Sequence, residues 1–266
     1  MSKSKIEWTD RVWNPVTGCT KISPGCDNCY AERMAHRLAH IEGSGYGTGV
    51  DSPNPEGAFN VKLRPERIEQ PLRWKKPSKI FVCSMGDLFH DKVPFNFIND
   101  CFFEMEKASQ HIFLVLTKRP KRMAKFFGRV HDINWPYKNV WLGVTAENQQ
   151  MANERIPILL QIPAVVRFVS VEPMLGPVNL MGIPFDRHTT MNVLEGCGIS
   201  TKSPCQSIPN AWCNKLDWVI CGGESGPGAR PMHPDWARGL RDQCQNAGIP
   251  FFLKSLYIDG KIIKMP

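Results

Sequence analysis

Residues 140–148, VWLGVTAEN, join a short apolar run to a polar exit, and this pattern recurs along the chain. Five further runs rich in β-branched or aromatic residues are also followed by a polar or glycine-containing turn. The six runs are Lys79 to Cys83, Ile112 to Leu116, Val140 to Val144, Val166 to Val171, Trp218 to Cys221 and Pro250 to Leu253. Continuous apolar runs of this length are typical of parallel strands buried on both faces.

Most of these runs recur at intervals of about 30 residues, the length of one strand and helix unit. Residues 95–109, 119–128, 148–161 and 234–247, which lie between runs, have the apolar periodicity of amphipathic helices. We therefore predict an α/β fold with about six to seven parallel strands, closed most simply as a full or partial (β/α) barrel. A doubly wound open sheet is the alternative, because periodicity alone does not distinguish the two.

Two stretches interrupt the repeat within what we expect to be a single domain over residues 1–266. Residues 42–60 are rich in glycine and predict a mobile loop or lid. Residues 187–215 show little periodicity and predict an insertion.

The composition is that of a globular protein, with 42% hydrophobic residues in 266 and a formal net charge of +8. No apolar run approaches the roughly 20 residues of a membrane helix, and the N-terminus lacks a secretory signal, so we expect a cytoplasmic protein. The positive charge suits a partner or substrate that carries phosphates, such as DNA, RNA or a nucleotide, although it also serves solubility.

Cys19, Cys26 and Cys29 have the spacing Cys-x6-Cys-x2-Cys on a turn-rich loop before a predicted helix at residues 31–40. Three thiols on one loop at a helix entrance predict a metal site. A structural zinc site would need a fourth ligand, from His36, His40 or a distant cysteine. A [4Fe-4S] cluster with three thiolates keeps one iron open for an exogenous ligand, and we favour it over zinc.

The other cysteines divide into two groups. Cys83 and Cys221 on strands and Cys101 and Cys244 on helices are expected to be buried thiols. Three evenly spaced cysteines in the insertion are a weaker candidate for a second metal site: Cys197, Cys205 and Cys213.

Polar and charged residues follow the predicted strands, where parallel sheets bind ligands. The candidates are Ser84, Asp87, Thr145, Glu147, Glu172, Gly222, Gly223 and Glu224, together with the cations Lys118, Arg119, Arg230, His233 and Lys254. Asp87 has helix capping as its alternative role, and Asn148 is expected to cap the next helix. Glu172 is expected to pair with Lys118, Arg119 or Arg230, or to act as an acid on a substrate.

A second cluster of cations surrounds Trp74, at Arg64, Arg67, Arg73, Lys75 and Lys76. A tryptophan among cations stacks on a base in some nucleic-acid-binding proteins. We favour the simpler interpretation that Trp74 packs into the core.

Several segments resemble the phage-associated, radical-SAM-like three-cysteine-motif proteins of bacteria and phages. These are IEWTD (6–10), VWNPVTGCTKISPGCDNCYAERMA (12–35), RWKKPSKIFVCSMGDLFH (73–90), FLVLTKRPKRM (113–123), NVWLGVTAEN (139–148), RFVSVEPMLGPV (167–178) and DWVICGGESGPGARPMHPDWARGLRDQC (217–244). The resemblance covers nearly the whole chain except the insertion and the last ten residues. The first gap of the cysteine motif is three residues longer than in radical SAM enzymes, and the motif aromatic, Tyr30, follows the last cysteine instead of preceding it.

The resemblance implies a partial (β/α) barrel of the radical SAM type that uses a [4Fe-4S] cluster and S-adenosylmethionine (SAM) to generate a 5′-deoxyadenosyl radical. It implies cluster ligation by Cys19, Cys26 and Cys29, and an electron donor such as flavodoxin or ferredoxin, with a partner protein as a further option. The SAM-binding candidates are then Ser84, Asp87, Thr145, Glu147, Gly222, Gly223 and Glu224. Glu172, Lys118 and Arg230 are the catalytic candidates, chosen for their charge and their position after strands.

Two other functions stay open at this point. One is a nucleic-acid-binding protein stabilised by zinc or by a cluster, without radical chemistry. The other is a barrel whose cluster serves electron transfer or sulfur chemistry.

Overall fold

Parallel strands alternate with helices along the chain, as the sequence predicted. The computed structural model describes residues 6–47, 57–129, 134–185, 187–200, 214–258 and 261–264. The chain divides into two compact units, of which the first comprises residues 1–117 and 137–140 and the second residues 118–136 and 141–266. The single domain expected over residues 1–266 stays a prediction.

The first unit contains three parallel strands. Its elements are β1 (Arg11–Trp13), β2 (Val16–Thr17), α1 (Tyr30–Ala39), β3 (Lys62–Leu63), β4 (Lys79–Val82), α2 (Phe95–Lys107) and β5 (Ile112–Thr117). β4 lies between β1 and β5 and is parallel to both, whereas β2 and β3 form a small antiparallel pair. The sequence did not predict β1, because three residues are too few to show a period.

The core of the first unit is built on large side chains of the three parallel strands. Trp13, Ile80 and Phe113 are all fully buried. The rings of Trp13 and Phe113 meet edge to face with centroids 5.8 Å apart, and the Trp13 indole donates a hydrogen bond to the Arg67 carbonyl at 2.7 Å. Because the indole N–H has this partner, Trp13 is buried without leaving a donor unsatisfied.

The second unit continues the alternation. Its elements are α3 (Pro120–Phe127), β6 (Val140–Thr145), α4 (Gln149–Leu160), β7 (Val166–Val171), β8 (Ile183–Pro184), β9 (Thr189–Asn192), β10 (Cys197–Ser200), β11 (Trp218–Gly222), α5 (Pro234–Asn246), β12 (Phe251–Ile258) and β13 (Lys261–Lys264). β6, β7, β11 and β12 are parallel neighbours in that order, and β13 pairs antiparallel with β12. The three strands of the first unit and these four give seven parallel strands, so the predicted fold class, a mixed α/β partial (β/α) barrel, is confirmed.

One glycine in β6 shows how closely the side chains of neighbouring strands pack in the second unit. A Cβ atom placed on Gly143 would lie 2.5 Å from the Phe168 ring on β7. Real carbon contacts do not come this close, so the buried ring occupies the space that a side chain at residue 143 would need. Glycine is otherwise unfavourable within a strand, and this contact explains it here.

The helix ends follow the sequence signals. The Asn148 side chain accepts a hydrogen bond from the Met151 N–H at 2.9 Å, which confirms the predicted cap of α4. α5 begins at Pro234, and Gly248 just beyond its end has a φ of 65°. That left-handed conformation is one that glycine adopts without strain.

The two interruptions are described only in part. Much of the predicted lid, residues 48–56, lies outside the described residues, as do residues 201–213 of the insertion. The described start of the insertion is more regular than its sequence indicated, because its strands β9 and β10 form a three-stranded antiparallel sheet with β8, which lies just before the insertion. Among the described residues, no helix combines the length and apolar character needed to cross a membrane.

Candidate functional site

Three half-buried free thiols lie on the loop between β2 and α1, residues 18–29, which we call the cysteine loop. Cys19 lies two residues after β2, Cys26 ends a 3-10 turn (Pro24–Cys26), and Cys29 is the N-cap residue of α1. The third thiol of the loop therefore lies directly at the N-terminus of α1.

The three thiols of the cysteine loop are the candidate ligands of a metal centre. In the described ranges, no three or more His, Cys, Asp or Glu side chains are grouped as a metal site. The chemistry of the loop still fits an iron-sulfur cluster, because thiolates are its usual protein ligands. Burial raises the pKa of the Cys83, Cys221 and Cys244 thiols, that of Cys244 to about 12, so these remain protonated at neutral pH.

Backbone contacts hold the start of the cysteine loop. The Gly18 N–H donates to the Met85 carbonyl at 2.8 Å, and the Cys19 N–H donates to the Phe59 carbonyl at 3.2 Å. Gly18 has a φ of 84°, and a Cβ there would lie 2.1 Å from the Asn60 carbonyl oxygen. The sequence needs glycine at this position both for the backbone conformation and for the close approach.

The far end of the loop is fixed by packing of α1. Ala31 and Ala35 of this helix, together with Tyr46 and Met85, form a buried cluster against which Cys29 packs. The Tyr30 hydroxyl donates a hydrogen bond to the Ser84 carbonyl. Residues 83–92, which we call the β4 exit segment, therefore contact both ends of the cysteine loop.

Asp87 is a buried carboxylate within the β4 exit segment. Its oxygens accept hydrogen bonds from the Phe89 N–H at 2.9 Å and from the Thr117 hydroxyl at 2.8 and 2.9 Å. The alternative role as a helix cap is wrong, because α2 begins only at Phe95 with Pro94 as its N-cap. Asp87 instead closes a local turn and links the exits of β4 and β5.

The backbone of the first residue of the β4 exit segment is strained, and hydrogen bonds hold the two residues that follow it. Cys83 has a φ of 59°, an unfavourable conformation for a residue other than glycine. The Asn14 side-chain carbonyl accepts hydrogen bonds from the Ser84 hydroxyl at 3.2 Å and the Met85 N–H at 3.0 Å. Strain of this kind persists where the surroundings enforce it and is frequent at functional sites.

Thr145 and Glu147, in the second unit, are buried around one arginine. Arg155 of α4 donates to the Thr145 carbonyl at 2.8 Å and to the Glu147 carboxylate at 2.9 Å. The Glu147 residue is 0% exposed and Arg155 4%. This arrangement favours a structural role for Glu147, whose expected ribose contact stays a prediction.

Glu172, at the exit of β7, is paired with Lys254 of β12, and the two side chains are 21% and 22% exposed. The expected partners Lys118, Arg119 and Arg230 are wrong, because β12 continues to Ile258 and carries Lys254 within the strand, across Gly222 from Glu172. A Cβ on Gly222 would lie 3.4 Å from both side chains, so this glycine lines the pair. Glu172 at the exit of β7 and Gly222 at the end of β11 are thus brought together with Lys254, which lies within β12 and not after the strand as the sequence predicted.

Glu224 and Arg230 form a second pair in the second unit. The Glu224 carboxylate accepts hydrogen bonds from the Arg230 backbone N–H at 2.8 Å and from its guanidinium at 3.0 and 2.6 Å. Glu224 is therefore used in closing its own loop. Gly223 donates its N–H to the Ser255 carbonyl at 3.2 Å, and Lys118 is half-buried directly after β5.

Nearly the whole chain matches one known protein family. A family model matches residues 3–261. The chain belongs to the DUF5131 family. That family is described as a protein of unknown function. No curated protein and no solved structure matches the chain.

In this DUF5131 chain two of the five cations near Trp74 in sequence, Arg64 and Arg67, make hydrogen bonds within the fold, whereas the other three are exposed. Trp74 is buried, which confirms the simpler interpretation, and the Arg11 guanidinium lies 5.0 Å from the centre of its ring. Arg64 donates a hydrogen bond to the Thr17 hydroxyl at 3.2 Å. Trp74 therefore does not present a free ring for a base.

Cys197 is the one cysteine of the insertion that the structure describes, and Cys205 and Cys213 lie outside the described residues. The Cys197 thiol is exposed and lies 3.5 Å from the Glu195 carboxylate. Burial and this carboxylate raise its pKa. A second metal site at these three cysteines stays a prediction.

Sequence reasoning missed Asn14 and His90 in the first unit and Arg155 in the second. Arg155 gave a signal, because it falls among the apolar residues of the buried face of α4, where an unpaired charge would be costly. Asn14 and His90 gave none, because their roles depend on contacts with residues about 70 positions away.

Proposed function

We propose that this chain is a radical SAM-type enzyme that modifies an anionic substrate, a nucleic acid or a nucleotide. The observation that carries the proposal is the pairing of two features in the first unit. Three half-buried thiols lie on one loop, and that loop is joined at both ends to the β4 exit segment with its Ser84 and Asp87. The chain would work in a reducing cytoplasm, where these thiols stay free.

Cys19, Cys26 and Cys29 would hold a [4Fe-4S] cluster, which supplies the electron for reductive cleavage of SAM. Ser84 and Asp87 would bind the SAM ammonium group. Asp87 is suited to this because its two hydrogen-bond donors fix the carboxylate before any ligand arrives. A fixed carboxylate loses little freedom on binding a cation, so more of the interaction contributes to affinity.

In the second unit, the exits of β7 and β11, together with Lys254 of β12, would bind the substrate. Lys254 supplies a cation beside Gly222, where the backbone has no side chain to hold a ligand away. Glu172 orients that ammonium and is positioned to exchange a proton with a substrate group. Lys118 would add positive charge, whereas Arg230 would act through the loop it closes with Glu224. The net charge of +8 supports an anionic substrate.

SAM cleavage tests the proposal directly. The protein is reconstituted anaerobically with iron and sulfide, reduced with dithionite or with a flavodoxin or ferredoxin system, and incubated with SAM. We expect 5′-deoxyadenosine and methionine in equal amounts, detected by liquid chromatography and mass spectrometry. A protein that forms a cluster yet releases no 5′-deoxyadenosine would overturn the enzyme proposal and favour electron transfer. A colourless protein with stoichiometric zinc would instead favour a nucleic-acid-binding protein.

A further inference from the structure

His90 is a buried histidine of the β4 exit segment that the proposed chemistry does not use. It is 3% exposed. Its Nε2 atom lies 2.9 Å from the Thr20 hydroxyl on the cysteine loop, and its Nδ1 atom accepts a hydrogen bond from the Lys92 N–H at 3.1 Å. The buried imidazole ring of His90 therefore links the β4 exit segment to Thr20, the residue after Cys19.

The Lys92 contact fixes the tautomer of the ring. A backbone N–H only donates, so Nδ1 must carry a lone pair. The neutral ring then has its proton on Nε2, which donates to the Thr20 hydroxyl. The backbone around His90 is also held, since its N–H donates to the Asp87 carbonyl at 3.1 Å and its carbonyl accepts from the Val93 N–H at 2.9 Å.

The Thr20 hydroxyl is attached to a part of the loop with little burial of its own. Thr20 is exposed, and the 3-10 turn at Pro24–Cys26 buries none of its residues. Packing therefore does little to fix this stretch, and hydrogen bonds to the rest of the unit have a larger share in its order. The bond to His90 is a link from the exposed stretch to a buried side chain.

We infer that His90 is a positioning residue that fixes Cys19 through its hydrogen bond to Thr20. Both ring nitrogens already have protein partners, so we assign positioning and not metal ligation. The inference concerns the order of the cysteine loop. It rests on the proposed function only for the purpose of that order, which is metal binding. The role of a fixed loop would be to hold Cys19 in one orientation for its metal.

The test uses matched pairs of variants in the metal-free protein. Thr20→Val removes the hydroxyl at constant shape, and Thr20→Ser keeps it. His90→Asn keeps an acceptor for the Lys92 N–H but is too short to reach Thr20, and His90→Gln restores a donor near the Nε2 position. Hydrogen-deuterium exchange is followed by mass spectrometry on a peptide that contains residues 18–20, with a peptide from β5 as the reference.

We expect Thr20→Val and His90→Asn to speed exchange of the residue 18–20 peptide about five-fold, the effect of one lost hydrogen bond. Thr20→Ser and His90→Gln should stay close to the wild type, and β5 should not change in any variant. Unchanged exchange in Thr20→Val would overturn the inference. Faster exchange in β5 as well would show general destabilisation and would also overturn it.

A spectroscopic readout separates this inference from the proposed function. In reconstituted protein, Thr20→Val should broaden or shift the electron paramagnetic resonance (EPR) signal of the reduced cluster, and Thr20→Ser should preserve it. An identical signal in Thr20→Val would contradict the purpose that we give to the bond. If the wild type binds no iron, the proposed function fails, whereas the exchange experiment on metal-free protein still decides the role of His90.

Discussion

Replacing Cys19, Cys26 or Cys29 with serine is expected to reduce bound iron from about four ions per chain to near zero. A serine hydroxyl is a poor ligand for iron in such a cluster, and a loop with two thiols cannot hold it. Iron and acid-labile sulfide are measured after anaerobic reconstitution, with the visible absorption of the cluster recorded in parallel. The expected effect is the largest of any single substitution considered, because each thiol is proposed to bind the metal directly.

Cys197→Ser is the matched control for these substitutions. Its thiol is exposed on β10, so we expect the change to leave folding intact. The same is expected for serine at the three half-buried cysteines of the loop. We expect Cys197→Ser to keep the iron of the cysteine loop, about four ions per chain, because Cys197 belongs only to the weaker candidate site of the insertion. Full iron content in any of the three loop variants, or a comparable loss in Cys197→Ser, would contradict the assignment of the ligands.

Replacing Arg155 with methionine is expected to lower the free energy of unfolding by about 3–5 kcal/mol. The change leaves the Glu147 carboxylate, which is 0% exposed, without the guanidinium that donates to it at 2.9 Å. It also leaves the Thr145 carbonyl without its donor at 2.8 Å. Urea unfolding followed by circular dichroism measures the loss.

The double variant Glu147→Gln with Arg155→Met is the control for charge. Because no buried charge then lacks a partner, most of the lost stability should return. A single Arg155→Met variant as stable as the wild type would contradict the structural role of this pair. If Glu147→Gln alone keeps its stability but weakens SAM binding, the ribose contact inferred from the sequence resemblance is the better assignment.

The strands and helices that carry the fold could be predicted because their apolar patterns are long enough to show a period. β7, for example, spans the same residues as the predicted run, Val166–Val171. β1 has only three residues, and its pairing with β4 depends on a partner almost 70 residues away. The short strands of the insertion escaped prediction for the same reason.

The sequence predicted where along the chain the candidate site residues lie, but not which side chains they contact. That polar residues would follow the strands came from the pattern itself. Which cation would meet Glu172 did not, since Lys254 lies on a strand 82 positions later in the chain. The same limit applies to His90, whose partner Thr20 is 70 positions away.

The excess of positive charge is less available to a ligand than the net value indicates. Arg155 and Arg230 are both paired with carboxylates of the second unit. Arg64 and Arg11 make contacts with side chains of the first unit. Lys254 is likewise paired with Glu172, so an anionic substrate at the proposed site would compete with that carboxylate for the ammonium group.

The proposal that this chain binds a [4Fe-4S] cluster with an open iron is tested most directly by low-temperature EPR of the anaerobically reconstituted, dithionite-reduced protein. We expect the signal of a reduced [4Fe-4S] cluster, changed in shape when SAM is added and absent from the Cys29→Ser variant. A protein that shows no such signal and contains one tightly bound zinc ion would contradict the account. A cluster signal that SAM leaves unchanged would contradict the open iron on which the proposed chemistry depends.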